Sequence, residues 1–235
     1  TNAITGIATA FMDSIPMVII SGQVQSHLIG TDAFQETDMI GVSRPIVKHS
    51  FTVDKQENIA NIVAEAFHIA TSGRQGPVLI DVPKDLTNPD DLFDFVYPDK
   101  VHVRSYNPPI KPENHQVSRA VDAILASERP VIYAGGGTIS SNASKELREL
   151  NDLIDAPVTN TLMGLGVFPG THKRFLGMLG MHGTYQANMA MHNADLIIAL
   201  GARFDDRITN APDKFAPRAK VCLLYTSDAA DDMQC

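Results

Sequence analysis

Residues 177–207 read GMLGMHGTYQANMAMHNADLIIALGARFDDR. This stretch combines a glycine-rich turn, a helical pattern over residues 184–193 and an uninterrupted apolar run over residues 196–200. A strand that is apolar on both faces is typical of a parallel sheet covered by helices on both sides. In such sheets ligands bind beyond the carboxyl ends of the strands, which is where residues 201–207 fall.

The side chains of this stretch suit a large, phosphate-bearing ligand. Gly177, Gly180 and Gly183 are expected to leave the backbone uncovered, so that a ligand can approach it closely. Arg203 and Arg207 carry planar guanidinium groups that match phosphate oxygens. The pattern alone leaves a second interpretation open, namely a strand followed by a surface loop of salt bridges.

Strand and helix patterns alternate through the second half of the chain. The apolar run at residues 131–134 predicts a further strand, residues 157–161 are predicted as another, and a triple glycine, 135–137, follows the first of them. We therefore predict an α/β fold with a doubly wound, Rossmann-like sheet. Its strand ends should gather the following residues around one elongated ligand: Gly135, Gly136, Thr161, Leu162, Leu179, Gly180, Met181, His182, Gly201, Ala202, Arg203, Asp205 and Arg207.

The first half of the chain shows the same alternation. Residues 17–20 and 78–82 predict buried strands, and residues 59–70 carry the three- and four-residue spacing of an amphipathic helix. Lys84 follows Pro83 at the carboxyl end of the second strand, where polar side chains are well placed for chemistry. The prolines between Leu86 and Pro112 predict an extended linker and a domain boundary.

Composition limits the classes of partner. The 235 residues contain 19 basic and 27 acidic residues, for a net charge of −8, and no basic cluster, which argues against a nucleic-acid partner. No apolar run reaches the roughly 20 residues of a membrane span. The two cysteines, Cys222 and Cys235, support neither a disulfide framework nor a metal cluster, so a reducing compartment is expected.

Four further stretches identify a family. They are TNAITGIATAFMDSIP at residues 1–16, GTDAFQETD at 30–38, SGRQGPVLIDVPKD at 72–85 and TLMGLG at 161–166. Together with residues 177–207 they closely resemble the catalytic subunit of acetohydroxyacid synthase (acetolactate synthase), a thiamine-diphosphate enzyme. The resemblance extends to about Val221. Many family members have proline where this chain has Gln25, which leaves the detailed shape of the substrate passage open.

The resemblance implies a domain order and a flavin. Residues 1–98 correspond to the C-terminal part of a thiamine-enzyme pyrimidine-binding domain, 99–115 to a linker, and 116–221 to a truncated central FAD-binding domain. Residues 222–235 do not resemble the family, and we interpret them as a sequencing artefact. In the family, FAD is largely structural. The resemblance assigns it to Arg74 and to the strand-end residues named above, including His182.

The resemblance also implies a reaction. Family members condense two pyruvates, or pyruvate and 2-oxobutyrate, to acetolactate or acetohydroxybutyrate with release of CO2, a transferase step in isoleucine and valine biosynthesis. Phe34, Gln35 and Lys84 correspond to residues of the substrate passage. The glutamate that activates thiamine diphosphate would precede Thr1, and the Mg²⁺-binding domain would follow Val221. We therefore expect the chain to be an inactive fragment, whose thiamine diphosphate and Mg²⁺ require regions outside it.

Partners and location follow from the same resemblance. It implies 2-keto acid substrates, a homodimer of catalytic subunits, a small regulatory subunit, and a bacterial cytoplasmic location, with an organellar location left open. Two alternatives stay open as well. One is another flavin-containing thiamine enzyme, of the pyruvate oxidase or glyoxylate carboligase type. The other is a nucleotide-binding module without catalysis.

Overall fold

The computed structural model describes residues 2–109 and 111–224, and the chain divides into two compact units. Unit 1 is Thr1–Pro108 and unit 2 is Pro109–Cys235. The division falls inside the proline-rich segment. Each unit contains helices and a parallel sheet, so the predicted α/β class with parallel sheets is confirmed. None of the described helices has the length and apolar character needed to cross a membrane.

Unit 1 is built on a parallel sheet whose strand order, within the described residues, is β1-β3-β2. Its helices and strands, in chain order, are α1 (Ile4–Met12), β1 (Met17–Gln23), α2 (Met39–Ser43), β2 (His49–Thr52), α3 (Ile59–Thr71) and β3 (Pro77–Pro83). Strand β3 lies in the centre because its residues are apolar on both faces. Leu79 faces a cluster with Ile7 of α1, whereas Val78 and Ile80 face a cluster with Ile69 of α3.

Strand β1 differs from the prediction. It was expected to be buried and to end at Ile20, but it runs to Gln23, and Ile20 is 67% exposed. The reason is its position, since among the described residues β1 pairs only with β3 and forms an edge of the sheet. An apolar run identifies a strand, but it does not reveal how many neighbours the strand has.

Tyr106, near the end of unit 1, is hydrogen-bonded to the end of α3. The Tyr106 hydroxyl donates a hydrogen bond to the carbonyl oxygen of Ser72 at 2.8 Å and accepts one from Lys48 Nζ at 2.8 Å. The same ammonium group donates to the carbonyl oxygens of Ile69 (2.5 Å) and Ser72 (2.7 Å) at the end of α3. A cation at a helix C-terminus satisfies carbonyl groups that have no partner within the helix.

Unit 2 contains a parallel sheet with the strand order β6-β5-β4-β7-β8 among the described residues. Its elements are α4 (Asn114–Ala126), β4 (Pro130–Ala134), α5 (Gly136–Ser140), α6 (Ser144–Ile154), β5 (Val158–Asn160), β6 (Phe175–Met178), α7 (Tyr185–Asn193), β7 (Leu196–Leu200), α8 (Asp206–Thr209) and β8 (Lys220–Leu224). Strand β6 and the short helices α5 and α8 were not predicted.

The core of unit 2 lies on both faces of β4 and β7. Ile132 and Ile198 pack on the face that contains Leu147 of α6. Tyr133 and the alternate residues of β7 pack on the opposite face, which contains Met191 of α7. Helices therefore cover both faces of the sheet, as the doubly wound prediction requires.

The larger apolar residues of α4 do not mark its buried face. Val121 and Leu125 are both exposed, and the buried residue of this helix is Ala120. Ile124 packs beside it at the edge of the core. Because a small alanine lets the helix approach the sheet closely, the periodicity of the larger residues does not select the buried face.

Strand β8 crosses the boundary that we placed after Val221. Residues 222–224, which we excluded from the fold, continue β8 and pair in register with residues 198–200 of β7. Cys222 is buried in the core. The backbone of these residues pairs with β7, and their apolar side chains pack in the core, whatever the origin of this part of the sequence. The remaining residues of the proposed tail, 225–235, lie outside the described residues.

Two leucines on α6 test the core of unit 2. Leu147 is 2% exposed and Leu153 is 83% exposed. We expect Leu147→Ala to lower the free energy of unfolding by about 2–5 kcal/mol, because it leaves a cavity. Leu153→Ala, the same change on the same helix, should alter it by less than about 0.5 kcal/mol. Urea denaturation followed by circular dichroism measures both, and equal effects would contradict the fold.

Candidate functional site

The carboxyl ends of the parallel strands in unit 2 meet at one edge of the sheet. Strand β4 ends at Ala134, β5 at Asn160, β6 at Met178 and β7 at Leu200. The residues that follow these ends form what we call the rim: residues 135–138, 161–164, 179–183 and 201–207. Each of the strand-end residues predicted from the sequence lies on one of these four segments.

Backbone hydrogen bonds join the rim segments directly. The bonds link neighbouring segments without side chains between them, so the loops touch along their main chains. They run from Gly137 N to Gly201 O at 3.0 Å and from Met181 N to Arg207 O at 2.9 Å, and a further bond joins Thr161 N to the carbonyl oxygen of Ala134, the last residue of β4, at 3.0 Å.

The glycines of the rim serve this contact. A Cβ atom on Gly135 would lie 2.3 Å from the Gly201 carbonyl oxygen, and one on Gly164 would lie 2.4 Å from that of Ala134. Gly201 also has a φ of +56°, which favours glycine. The expectation that glycines leave space for a ligand therefore needs correction, because the protein's own backbone fills the space beside these residues.

The same correction applies to the three glycines of the opening stretch. Added Cβ atoms on Gly177, Gly180 and Gly183 would each meet protein atoms closer than 3.0 Å. The neighbours are the Thr184 side chain and the backbones of residues 207 and 178 respectively. These glycines are required for the turn to pack, and a ligand would have to approach from their remaining sides.

Aromatic rings support the last rim segment. Phe204 points inward and packs against the buried Tyr133, with 5.3 Å between ring centres, and against Phe215 at 5.8 Å. The Tyr133 hydroxyl lies 3.5 Å from the carbonyl oxygen of Arg203, to which it donates. Burial raises the pKa of Tyr133 well above its ordinary value, and the charge of Asp205 raises it further, so the phenol stays neutral and remains a donor.

Some charged side chains of the rim already form contacts within the protein. The Asp205 carboxylate caps α8, since its Oδ1 accepts hydrogen bonds from Arg207 N at 3.0 Å and from Ile208 N at 3.2 Å. The exposed Arg207 lies 3.7 Å from Asp206. Arg203 is half-buried, and His182 is exposed on the third segment. Asp205 is exposed as well, but its Oδ1 is already engaged by the two N–H groups of α8.

Apolar side chains on the rim fall into two groups. Leu162 and Met181 are 68% and 60% exposed, whereas Leu179 and Ala202 are buried in the core. The buried pair can contact a ligand only through the backbone. A cavity of about 390 Å³ opens beside Gly137, lined by four leucines of α6, β7 and β8 and by small or polar residues that include Thr138 and Glu146.

In unit 1 the predicted substrate-side residues lie on two segments that are hydrogen-bonded to each other near the carboxyl end of β3. Phe34 and Gln35 belong to a segment that we call the β1–α2 loop, residues 24–38, and Lys84 directly follows β3. Phe34 is 88% exposed. Asp85 ties the loop to β3, because its Oδ1 accepts hydrogen bonds from Ser26 N at 2.8 Å and Ser26 Oγ at 3.1 Å.

A buried carboxylate that the sequence reasoning missed lies beneath this loop. Asp81, in the centre of β3, is 4% exposed, and its Oδ2 accepts a hydrogen bond from Gln23 Nε2 at 3.0 Å. The same amide donates to the Thr37 carbonyl oxygen at 3.0 Å. Burial raises the pKa of Asp81, partly offset by the bond from Gln23, and within the described residues its Oδ1 has no hydrogen-bond partner. The sequence feature that could have revealed this carboxylate is the single acidic residue in the otherwise apolar run PVLIDVP.

Arg74 lies apart from the other predicted residues of unit 1. It precedes β3, whereas Lys84 follows it, and seven extended residues span about 20 Å. Arg74 Nε donates to Ser14 Oγ at 3.0 Å, and its guanidinium carbon is 5.9 Å from the centre of the Phe11 ring. Within unit 1, therefore, Arg74 and Lys84 are not brought together.

Two family models match this chain. One describes the N-terminal TPP binding domain of thiamine pyrophosphate enzymes and matches residues 1–42, and the other describes the central domain of these enzymes and matches residues 117–231. The chain therefore belongs to the thiamine pyrophosphate enzyme family, with parts of its N-terminal and central domains. The second match extends beyond Val221, where we expected the resemblance to end.

Similar proteins narrow the comparison to acetolactate synthase. The large subunit from Buchnera aphidicola subsp. Acyrthosiphon pisum is 60% identical over 221 residues, which are 94% of this chain and 39% of that protein. The isozyme 3 large subunit from Escherichia coli is 55% identical over 94% of this chain and 38% of its own length. The chain thus spans about two fifths of the length of these relatives.

A solved structure shares the fold. It is a putative thiamin diphosphate-dependent enzyme from Mycobacterium smegmatis, and it aligns with a TM-score of 0.74 over 94% of this chain and 42% of its own. The sequence identity is 22%, so this likeness concerns the fold alone.

Gly135→Ala tests the backbone contact in the rim. Its new methyl group would overlap the Gly201 carbonyl oxygen, so we expect a loss of about 1–3 kcal/mol in the free energy of unfolding. Gly170→Ala is the matched control in unit 2, because the nearest atom to its added Cβ is 4.0 Å away. Denaturant melts compare the two variants, and an unaffected Gly135→Ala protein would refute the contact.

Tyr133 provides a test by pH. Because its pKa is raised in the folded state, the neutral phenol stabilises the fold fully below the ordinary value of 10.0, and that contribution falls as the pH rises beyond it. We expect Tyr133→Phe to lose less stability than the parent between about pH 9 and about pH 11. Phenolate absorbance should differ between the two proteins only after alkaline unfolding. A difference in the folded proteins near pH 10 would contradict this.

Proposed function

We propose that a protein containing this chain acts as the large, catalytic subunit of an acetolactate synthase. The reaction would join two pyruvates, or pyruvate and 2-oxobutyrate, with release of CO2, in the synthesis of valine and isoleucine. The observation that carries the proposal is 60% identity to such a subunit over 94% of the chain. The chain spans 39% of that relative, so the activity is proposed for the whole protein and not for these residues alone.

FAD is the ligand that we assign to the rim of unit 2. The molecule combines an apolar ring system with a diphosphate, and the rim offers both kinds of partner. Leu162 and Met181 expose apolar surface, and Arg203 and Arg207 carry guanidinium groups on another segment of the rim. These side chains would hold the cofactor, whereas the glycines would contribute through their exposed backbone edges. Arg74 and His182 remain proposed flavin residues on the family resemblance.

Phe34, Gln35 and Lys84 would act on the substrate in unit 1. Lys84 is exposed at the end of β3, where its ammonium group would pair with the carboxylate of a 2-keto acid. The exposed Phe34 ring would exclude water, and the Gln35 amide would orient polar groups by hydrogen bonding. Thiamine diphosphate, when bound, supplies the carbanion-stabilising chemistry.

The described residues do not fit a magnesium site. They contain no cluster of three or more histidine, cysteine or acidic side chains that could hold a metal ion. We therefore derive no step through Mg²⁺. We further propose a homodimer of catalytic subunits and a small regulatory subunit as partners, since one relative is named as the large subunit of an isozyme.

FAD titration tests the assignment of the rim. The purified chain should quench flavin fluorescence on binding, and Arg203→Ala should weaken the affinity by about tenfold or more, since a hydrogen bond to a charged group contributes about 1.5–3 kcal/mol. Arg218→Ala is the matched control, because this exposed arginine precedes β8 at the opposite edge of the sheet. Equal effects of the two changes, or no binding, would reject the rim as the flavin site.

A chimera tests the activity. Residues 1–221 of this chain would replace the matching segment of the Escherichia coli relative, to which the chain is 55% identical. We expect the chimera to form acetolactate from pyruvate when supplied with thiamine diphosphate, Mg²⁺ and FAD. A folded, cofactor-loaded chimera that leaves pyruvate unchanged would count against the proposal.

A further inference from the structure

The tip of the β1–α2 loop has an unusual backbone. Asp32 and Gln35 both have positive φ, at +58° and +65°, in addition to Gly30 at +83°. Residues other than glycine enter this region at a conformational cost, which is larger for glutamine than for aspartate. Such a backbone persists only where other interactions hold it, and strained residues of this kind cluster at functional sites.

Glu36 provides the holding interaction. Its two carboxylate oxygens accept from two different N–H groups of the same loop, Oε1 from Gly30 and Oε2 from Ala33, the latter at 3.0 Å. The N–H of Gly30 lowers the pKa of Glu36, and that of Ala33 lowers it further, so the carboxylate is ionised at neutral pH. The carboxylate thus bridges the start and the middle of the turn and closes it.

The closed turn determines where the neighbouring side chains point. The bridge joins residues 30 and 33, and the next two residues are Phe34 and Gln35. Phe34 is almost fully exposed. Gln35, the residue before Glu36, has the left-handed backbone conformation. The base of the loop is fixed separately by the bonds from Gln23 to Thr37 and from Ser26 to Asp85.

We propose that Glu36 is a positioning residue, whose two-pronged carboxylate holds Phe34 and Gln35 in the conformation that meets a 2-keto acid substrate. This inference rests on the proposed function, because it concerns the same substrate passage. Glu36 acts through the loop backbone and does not itself touch the substrate. Two separate carboxylate oxygens are required, since each N–H uses its own acceptor.

Glu36→Gln tests this requirement with little change of shape. The glutamine amide has one acceptor oxygen, so it can accept from Gly30 or from Ala33 but not from both in the same geometry. We expect backbone hydrogen exchange at one or both of these amides in the full chain to accelerate roughly fivefold or more. Glu57→Gln is the matched control, because this exposed glutamate lies elsewhere in unit 1. Unchanged exchange at both amides in Glu36→Gln would overturn the bridge.

A second measurement separates positioning from general stability. In the chimera, Glu36→Gln should raise the KM for pyruvate by about fivefold or more, while its urea midpoint and its affinity for FAD stay as in the parent. Glu36→Asp keeps two oxygens on a shorter side chain and should recover part of the loss. An unchanged KM, or a loss that parallels the urea midpoint, would refute positioning. A parent chimera without activity would reject the proposed function, and the exchange experiment would still decide whether the bridge exists.

Discussion

Parallel pairing of the strands is the constraint on which the rest of this structure depends. When all strands of a sheet run in one direction, their carboxyl ends share an edge, and every connection must return across a face of the sheet. In unit 2 this brings residues that follow β4, β5, β6 and β7 to one rim. In unit 1 it places the β1–α2 loop beside the end of β3. The candidate sites are consequences of this common direction.

The loops of the two candidate sites are held by different kinds of interaction. The rim of unit 2 uses backbone against backbone, with Gly135 and Gly201 close enough that no side chain fits between them. The loop of unit 1 uses carboxylates, since Glu36, Asp81 and Asp85 each accept hydrogen bonds from it or from the strand that leads into it. The first arrangement is governed by steric fit. The second depends on charge and on the ionisation of exposed and buried acids.

These arrangements change the roles of several residues. Asp205 caps a helix, and Leu179 and Ala202 fill the core, so their side chains serve the shape of the rim. Leu162, Met181, His182 and Arg207 are exposed, and Arg203 is half-buried. A ligand at the rim would thus meet an apolar and cationic surface supported by an aromatic layer, in which Phe204 packs on Tyr133.

The sequence by itself determined the class of fold, the family and the strand ends at which the sites lie. Apolar runs such as LIIAL and VLIDV sufficed for the interior strands β7 and β3, because a strand buried on both faces is apolar at nearly every position. Only the tertiary structure decided which strands lie at edges, which face of α4 is buried, and that Glu36 closes its loop. Those features depend on neighbours distant in the chain or on backbone angles, and neither leaves a periodic pattern in the sequence.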